Sequence, residues 1–390
     1  MGVFNIVKES IQKRINLTGK IGVMRRLLIG NFLISLAMGA VALLLPIYAA
    51  KELGASYTEI GLIGTMYVIF DVIFSVPAGV LGDRFGRRRF IVLGYVMTSF
   101  SFYLYTFCSS VTQLLLVRLY QGLAEAPVWV NMQTAIAELS GEHERGRAMG
   151  LYGTSWAAAF GVGPIFAGWA YPEFGARWVF LWSAALAICS VIPVLMTEFK
   201  PPRRVLKRPD FVRLLPLCFA TLIYIGVVAI FHTLLPAYAV VDLGLTEFEA
   251  STLITVFTIV RGVVFAPLGG LSDRFGAKRM IVASIGASAF ISLGLALATT
   301  YSVLLLFSLL LAVAEGAVYP AVVSTISKLG ERSSPGLVLG IFNSVGMAGW
   351  GIFPGVGGVI ADRCGPSAPF LMFVVVGLVS LPFLQKVLRE

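Results

Sequence analysis

The chain has 390 residues, 58% of them hydrophobic and 13% charged, with 30 Lys and Arg against 20 Asp and Glu for a net charge of +10. Soluble domains carry about 25% charged residues, so this composition excludes the ordinary globular class and points to repeated membrane crossing. The cations concentrate in alternate short loops rather than on one face, which excludes a nucleic-acid partner.

Residues 1–22 interleave Ile6, Val7, Ile11 and Ile15 with Lys8, Lys13, Arg14 and Lys20. The pattern predicts a short amphipathic helix on the cytoplasmic membrane surface; basic residues break up any core that a cleavable signal would need. Six apolar spans follow, at about 27–50, 57–80, 90–109, 112–137, 147–170 and 175–196, giving an expected bundle over residues 23–197. Residues 198–213, with Pro201-Pro202 and six basic side chains, read as a cytoplasmic linker. Six more spans, at about 214–240, 247–271, 280–299, 302–327, 336–361 and 367–386, give a second bundle over residues 214–390. The expected fold is an all-α membrane protein of twelve transmembrane helices in two pseudo-symmetric six-helix bundles. With the N-terminus inside, inner segments hold 25 Lys and Arg and outer loops hold three, Lys51, Arg177 and Arg363. That bias places both termini in the cytoplasm and the chain in the cell inner membrane.

The loop after span 2 reads P-A-G-V-L-G-D-R-F-G-R-R-R from Pro77 to Arg89, and after span 8 the chain reads P-L-G-G-L-S-D-R-F-G-A-K-R from Pro267 to Arg279. Across residues 77–92 and 267–282, ten of sixteen positions are identical at an offset of 190, which also pairs Pro46 with Pro236, Tyr48 with Tyr238, Glu125 with Glu315 and Pro164 with Pro354. The chain is two copies of one unit. In the first copy Gly79, Asp83, Arg84, Gly86, Arg87 and Arg88 form a candidate conformational latch; Asp273, Arg274 and Gly276 are its echo. A carboxylate at a helix end pairs with Arg or with a neighbouring helix N-terminus in one packing of the halves and releases it in another. Plain positive-inside topology accounts for the arginines alone, and not for Asp83 or the glycines.

Asp71, Arg118, Glu125, Arg261 and Glu315 fall inside spans, where an ionisable group costs about 2.5–3.5 kcal/mol on insertion scales, so each is a functional candidate. Glu125 and Glu315 are repeat equivalents, and so are Asp71 and Arg261 with opposite sign, which suggests a charge relation across the halves. Three acids against two bases leave one carboxylate without a permanent partner, and such a group can exchange protons near neutrality. Arg118, Gln121 and Glu125 share one face of span 4. Arg118 and Glu125 stand about 10.5 Å apart along the axis, too far for an easy pair, which makes Glu125 the first proton-site candidate, with Asp71, Arg118 and Glu315 beside it. The alternative is a set of structural salt bridges, Arg261 with Glu315 or Asp71 in particular.

His232 replaces Ala42 of the first copy and is either a packed histidine or a second titrating group. Trp129 and Tyr319, on spans 4 and 10, serve packing or line a solute cavity together with Arg261 and Gln121. Cys108, Cys189, Cys218 and Cys364 stand singly, and two histidines supply no metal centre.

The duplicated G-x-L-x-D-R-x-G-R-R-R loop, with Arg118-Leu-Tyr-Gln121-Gly122 in span 4, resembles the signature motifs of the major facilitator superfamily over residues 25–390. The resemblance implies two six-helix bundles around a cavity that opens alternately to either side. Spans 5 and 11 are similar to the glycine-proline motif of that family's drug:proton antiporters, at Gly150, Gly163, Pro164, Gly168, Gly340, Pro354 and Gly358, with Ala159, Ala167 and Phe353 replacing glycines. The family's packing sets span 2 beside span 11. Asp83 is therefore expected to approach the span 11 start at Ser333-Ser334-Pro335 when the cytoplasmic side closes, and Asp273 the start of span 5 near Gly146.

The function expected is secondary active transport of a small organic solute by alternating access, with proton-coupled export first and proton-coupled uptake of a sugar or organic acid second. No G-x-x-x-x-G-K-[ST] loop occurs, which excludes ATP as the energy source. Absence of a nucleophile–base or metal cluster argues against an enzyme, and short loops argue against a non-transporting receptor. The expected partners are the solute, protons and the lipid bilayer; the chain is read as a monomer without cofactor or metal.

Overall fold

The computed structural model describes residues 2–140, 145–197, 211–330 and 335–387, without the side chains of residues 2–20, 326–340 and some further positions that include Asp273. Most of the expected linker, Ser333-Ser334 and the surroundings of Gly340 lie outside the described residues. No strand occurs among the described residues. The helices of the first half are α1 (Gly2–Lys51), α2 (Tyr57–Phe85), α3 (Arg87–Tyr105), α4 (Val111–Leu139), α5 (Arg145–Cys189) and the short α6 (Val191–Leu195). The second half has α7 (Phe211–Thr233), α8 (Leu235–Ala237) running into a π-turn at Tyr238–Asp242, α9 (Glu247–Phe275), α10 (Ala277–Leu297), α11 (Tyr301–Gly330), α12 (Pro335–Cys364) and α13 (Ala368–Val387). Helix is the form that satisfies every backbone polar group inside the segment, which hydrocarbon requires.

Nine stretches among the described residues are long and apolar enough to cross a membrane. One of them, Ala148–Leu195, is 48 residues long and changes direction at Gly175, where φ 80° and ψ 167° leave the helical region. Two long helices fall outside the nine. α3 opens on Arg87-Arg88-Arg89, and α4 carries Arg118, Gln121 and Glu125 at mid-length. A difference from expectation lies at the N-terminus, where residues 2–22 continue α1 without a break instead of forming a separate helix. No proline or positive-φ residue separates them from the first span.

The sequence repeat is also a backbone repeat. Every positive-φ residue among those described is glycine, and the six form three pairs at the offset of 190: Gly54 with Gly244, Gly86 with Gly276, and Gly175 with Gly365. Helix starts repeat too. Ser56 and Glu59 form a capping box at α2, with Ser56 N–H donating to Glu59 at 2.9 Å and Glu59 N–H to Ser56 Oγ at 3.3 Å. Their equivalents Thr246 and Glu249 do the same at α9, at 2.8 and 3.2 Å.

Between the halves, α2 packs on α12 and α9 packs on α5, and the two contacts are copies of each other. Thr65 Oγ1 donates to the Gly351 carbonyl at 2.6 Å, and Thr255 Oγ1 donates to the Gly161 carbonyl at 2.7 Å. A Cβ on Gly358 would lie 2.1 Å from the Tyr57 carbonyl oxygen, and one on Gly168 would lie 2.7 Å from that of Glu247. Gly163 brings α5 onto α1 inside the first half, where a Cβ would stand 2.4 Å from the Leu36 carbonyl oxygen. Pro354 presents its own carbonyl to the missing Cβ of Gly61 at 2.1 Å, whereas nothing lies within 4 Å of a Cβ on Gly150.

Three further ties cluster at the ends of α1 and α12. Asp362 accepts the N–H groups of Tyr57 and Thr58, each at 2.8 Å; Lys51 pairs with Glu247 at 2.5 Å; and Tyr57 donates its hydroxyl to Asp242. With the Thr65 and Thr255 contacts, these ties join the halves at this end and at mid-depth.

Candidate functional site

Inside the first half, α4 crosses α2 at Gly122, where a Cβ would stand 2.0 Å from the Tyr67 carbonyl oxygen and 3.2 Å from the Asp71 nitrogen. That close approach brings the polar face of α4 against Tyr67 and Asp71. Arg118 Nη1 donates to Gln121 Oε1 at 2.7 Å, and Gln121 Nε2 donates to Glu125 Oε1 at 2.6 Å. The opposite carboxylate oxygen, Oε2, accepts the Tyr67 hydroxyl at 2.8 Å, and Trp129 Nε1 donates to that hydroxyl at 3.3 Å. Arg118 lies over the Tyr67 ring at 4.7 Å, donates from Nε to the Ile63 carbonyl at 3.1 Å, and so reaches Glu125 only through Gln121 and Tyr67. Tyr105 donates its hydroxyl to Gln121 at 2.5 Å, completing the set.

Asp71 is 3% exposed, with Oδ1 buried and unpartnered, and it lies within electrostatic reach of Glu125, which is 1% exposed. At this crossing the first half thus holds two interacting buried carboxylates and one partly buried guanidinium. Both oxygens of Glu125 receive hydrogen bonds, while Asp71 has an oxygen that receives none. Removing an ionised carboxylate from water without a partner costs several kcal/mol, so a proton shared over this pair lowers the cost of burial.

The second half has a different arrangement. Arg261 on α9 donates to the Tyr224 hydroxyl and is ringed by aromatic faces, at 5.3 Å from Tyr224, 5.6 Å from Phe265 and 5.9 Å from Phe257. Its Nε is buried and unpartnered, and no carboxylate among the described residues lies within 4.0 Å of it. Glu315 on α11 accepts the Ser288 hydroxyl at 2.6 Å on Oε1 and has no partner on Oε2. Its cleft is lined by Tyr224, Val227, Ile285, Phe373 and Gly377, between α7, α10 and α13. Tyr319 is 38% exposed and stacks on Phe265 at 5.0 Å. His232 is packed among rings, 5.8 Å from Phe160 of the other half and 5.6 Å from both Phe257 and Trp350.

The structure does not join Asp71 to Arg261. Each sits with the glutamate of its own half, because α2 packs on α12 while α9 packs on α5. Arg261 has electrostatic contact with Glu315 but no ion pair to it, and aromatic faces surround the guanidinium.

At the other end, Gly86 with φ 97° turns the chain from α2 into α3, a conformation that favours glycine. Arg87 then points back into the bundle, 5% exposed, where it holds Glu138 with two hydrogen bonds of 2.9 and 2.8 Å. It also pairs with Asp83, whose side chain is 63% exposed, and reaches Asn131 Oδ1 at 3.4 Å. Arg88 donates to the Thr197 carbonyl at 2.7 Å, while Arg84 lies over Phe85 at 5.3 Å. Gly79 lets α2 approach Val130 of α4, with a Cβ 3.0 Å from that side chain. Arg274 is exposed and Gly276 repeats the turn with φ 88°. Ala277 and Lys328 stand where the first copy has Arg87 and Glu138, so the second copy lacks this ion pair. Removing one partner of a buried pair costs about 3–5 kcal/mol. Glu138→Gln is therefore expected to lower the melting temperature of the purified protein by several degrees, and an unchanged melting curve would show that Arg87 is held by Asp83 and Asn131 alone.

Glu138, Asn131, Tyr67 and Tyr224 were not singled out in the sequence. Glu138 and Asn131 lie seven residues apart on one face of α4, which is the signal that could have found them. Tyr67 and Tyr224 carry no signal short of knowing which helices cross.

The Major Facilitator Superfamily matches residues 27–215 and 217–389. Multidrug resistance protein 2 of Bacillus subtilis is 25% identical over 91% of this chain and 92% of its own length. Quinolone resistance protein NorA of Staphylococcus aureus is 24% identical over 90% of this chain and 92% of its own. A crystal structure of a bacterial homolog of the human lysosomal transporter Spinster, inward-facing and unoccupied, superposes with a TM-score of 0.73 at 16% identity, over 95% of this chain and 96% of that one. With both copies of the repeat matched from residue 27 to residue 389, the chain belongs to the Major Facilitator Superfamily.

Proposed function

We propose that this chain is a proton-coupled exporter of a small organic solute, built as twelve spans in two bundles, residues 23–197 and 214–390, with both termini in the cytoplasm. The twelve-span count adds α3 and α4 to the apolar stretches and divides Ala148–Leu195 at Gly175. The observation that carries the reading is the buried Asp71–Glu125 pair, tied through Gln121 and Tyr67 to a single guanidinium. That pair binds the proton; its release and the solute's binding alternate as the halves rock about the mid-depth contacts at Thr65 and Thr255. Relatives named for multidrug and quinolone resistance support export. With the Arg-rich loops inside, the end tied by Asp362, Lys51 and Tyr57 is the outer one.

In this structure Asp83 pairs with Arg87. When the inner side closes, its carboxylate meets the N-terminus of α12. Asp83→Asn is therefore expected to shift the population toward the inward-open state and to lower turnover, with substrate affinity unchanged. Distances between spin labels on the inner ends of α2 and α12 check the shift, and an unaltered distribution counts against the latch.

The function itself is tested in proteoliposomes of defined orientation, where a pH step on one side drives solute accumulation. Accumulation coupled to proton influx on the outer side supports export. Solute entering together with the proton makes the chain an uptake symporter instead.

A further inference from the structure

Arg261 is a cation at membrane depth whose surroundings are incomplete. An unpaired charge there is costly, and intramembrane charges usually pair with one another or face a water-filled cavity. Here the guanidinium meets three aromatic faces and one tyrosine hydroxyl, while its Nε is buried with no acceptor. Aromatic faces leave the in-plane donors of the guanidinium fork unsatisfied; Nη2 donates to Tyr224, and Nε remains without an acceptor. Glu315 does not fill the fork, since its Oε1 is taken by Ser288 and its cleft opens among α7, α10, α11 and α13.

The cage lies beside the first half. Tyr319, stacked on Phe265, is 38% exposed and lies in electrostatic reach of Tyr152 on α5. We propose that Arg261, with Phe265 and Tyr319, is a substrate subsite that takes the carboxylate of a planar aromatic acid. The fork binds both oxygens of a carboxylate in one plane. Flat rings beside the fork stack on the ring that bears it. A single guanidinium without a second cation suits a monoanion, because Arg118, the other arginine at mid-span, is held by Gln121, Ile63 and Tyr67 in the first half. The inference rests on the transporter reading only in calling this ligand a substrate.

The test uses the full chain, purified, with 2-naphthoate and 2-naphthamide, which share a ring system and differ in charge. Wild-type protein is expected to bind naphthoate about tenfold more tightly than naphthamide, or about 1.4 kcal/mol, as one charge-assisted contact supplies. Arg261→Gln should erase that preference and leave naphthamide binding unchanged, and Arg261→Lys should retain part of it. Equal affinity of the wild type for both probes, or no saturable naphthoate binding, overturns the proposal without recourse to any variant. If Arg261→Gln does not yield monodisperse protein, the wild-type pair and Arg261→Lys decide. Proton-driven flux in proteoliposomes, corrected for protein-free vesicles, separates the two readings. Charge-selective binding without flux upholds the subsite and removes the exporter. Flux that is equal for both probes removes the subsite and leaves the exporter.

Discussion

Glu125→Gln is expected to abolish proton-driven accumulation while leaving solute exchange and binding largely intact. The amide matches the carboxyl in size and still accepts the Tyr67 hydroxyl, which Glu125 receives at 2.8 Å. What it loses is the second accepted bond, from Gln121 Nε2, and the ability to take up and release a proton between two states of the bundle. A gradient of one pH unit holds about 1.4 kcal/mol per proton, enough for about tenfold accumulation by a one-to-one exchanger. Vesicles carrying the variant should stay at onefold and still equilibrate labelled solute. Normal uphill transport by Glu125→Gln at every pH would move the proton site to Asp71, the other member of the pair. Asp71→Asn then becomes the decisive variant.

Much of this arrangement is legible in the sequence because it depends on spacing. The duplicated Asp83 and Asp273 loops, the interval of three and four residues between Arg118, Gln121 and Glu125, and the offset of 190 all survive without coordinates. Arg118 stays apart from Glu125 as its rise along the helix requires, and Gln121 bridges them. What the sequence does not carry is which helices cross and at what depth. Asp71 and Arg261 are equivalent in the repeat and opposite in charge, which invites a pair; yet α2 packs on α4 and α9 on α11 within their own halves, so each meets its own half's glutamate. The same ignorance of crossings hid Tyr224, an acceptor for Arg261, on another helix. The hydroxyl contacts of Thr65 and Thr255 were hidden for a further reason, since each needs a carbonyl from the opposite half.

Crossing points also set the largest expected effect on conformation. Gly358→Ala should hold the halves apart at the end where Asp362 accepts the α2 N–H groups and abolish transport. The added Cβ would stand 2.1 Å from the Tyr57 carbonyl oxygen, 2.8 Å from its carbon and 2.9 Å from the Thr58 Cα. All three are backbone atoms, so no rotamer change relieves the overlap. Alanine favours helix over glycine by about 1 kcal/mol, so α12 itself should not suffer and the loss must come from its contact with α2. Overpacking of this kind costs about 1–3 kcal/mol, and a bias of that size moves a two-state equilibrium about 5–150-fold. Gly168, which makes the equivalent contact with α9, should respond in the same direction when changed to Ala. Gly150→Ala is the control, because nothing lies within 4 Å of its Cβ. Spin-label distances between the Thr58 end of α2 and the Asp362 end of α12 read the closed population directly. Wild-type closure and wild-type flux in Gly358→Ala would mean that this crossing is not what closes the halves.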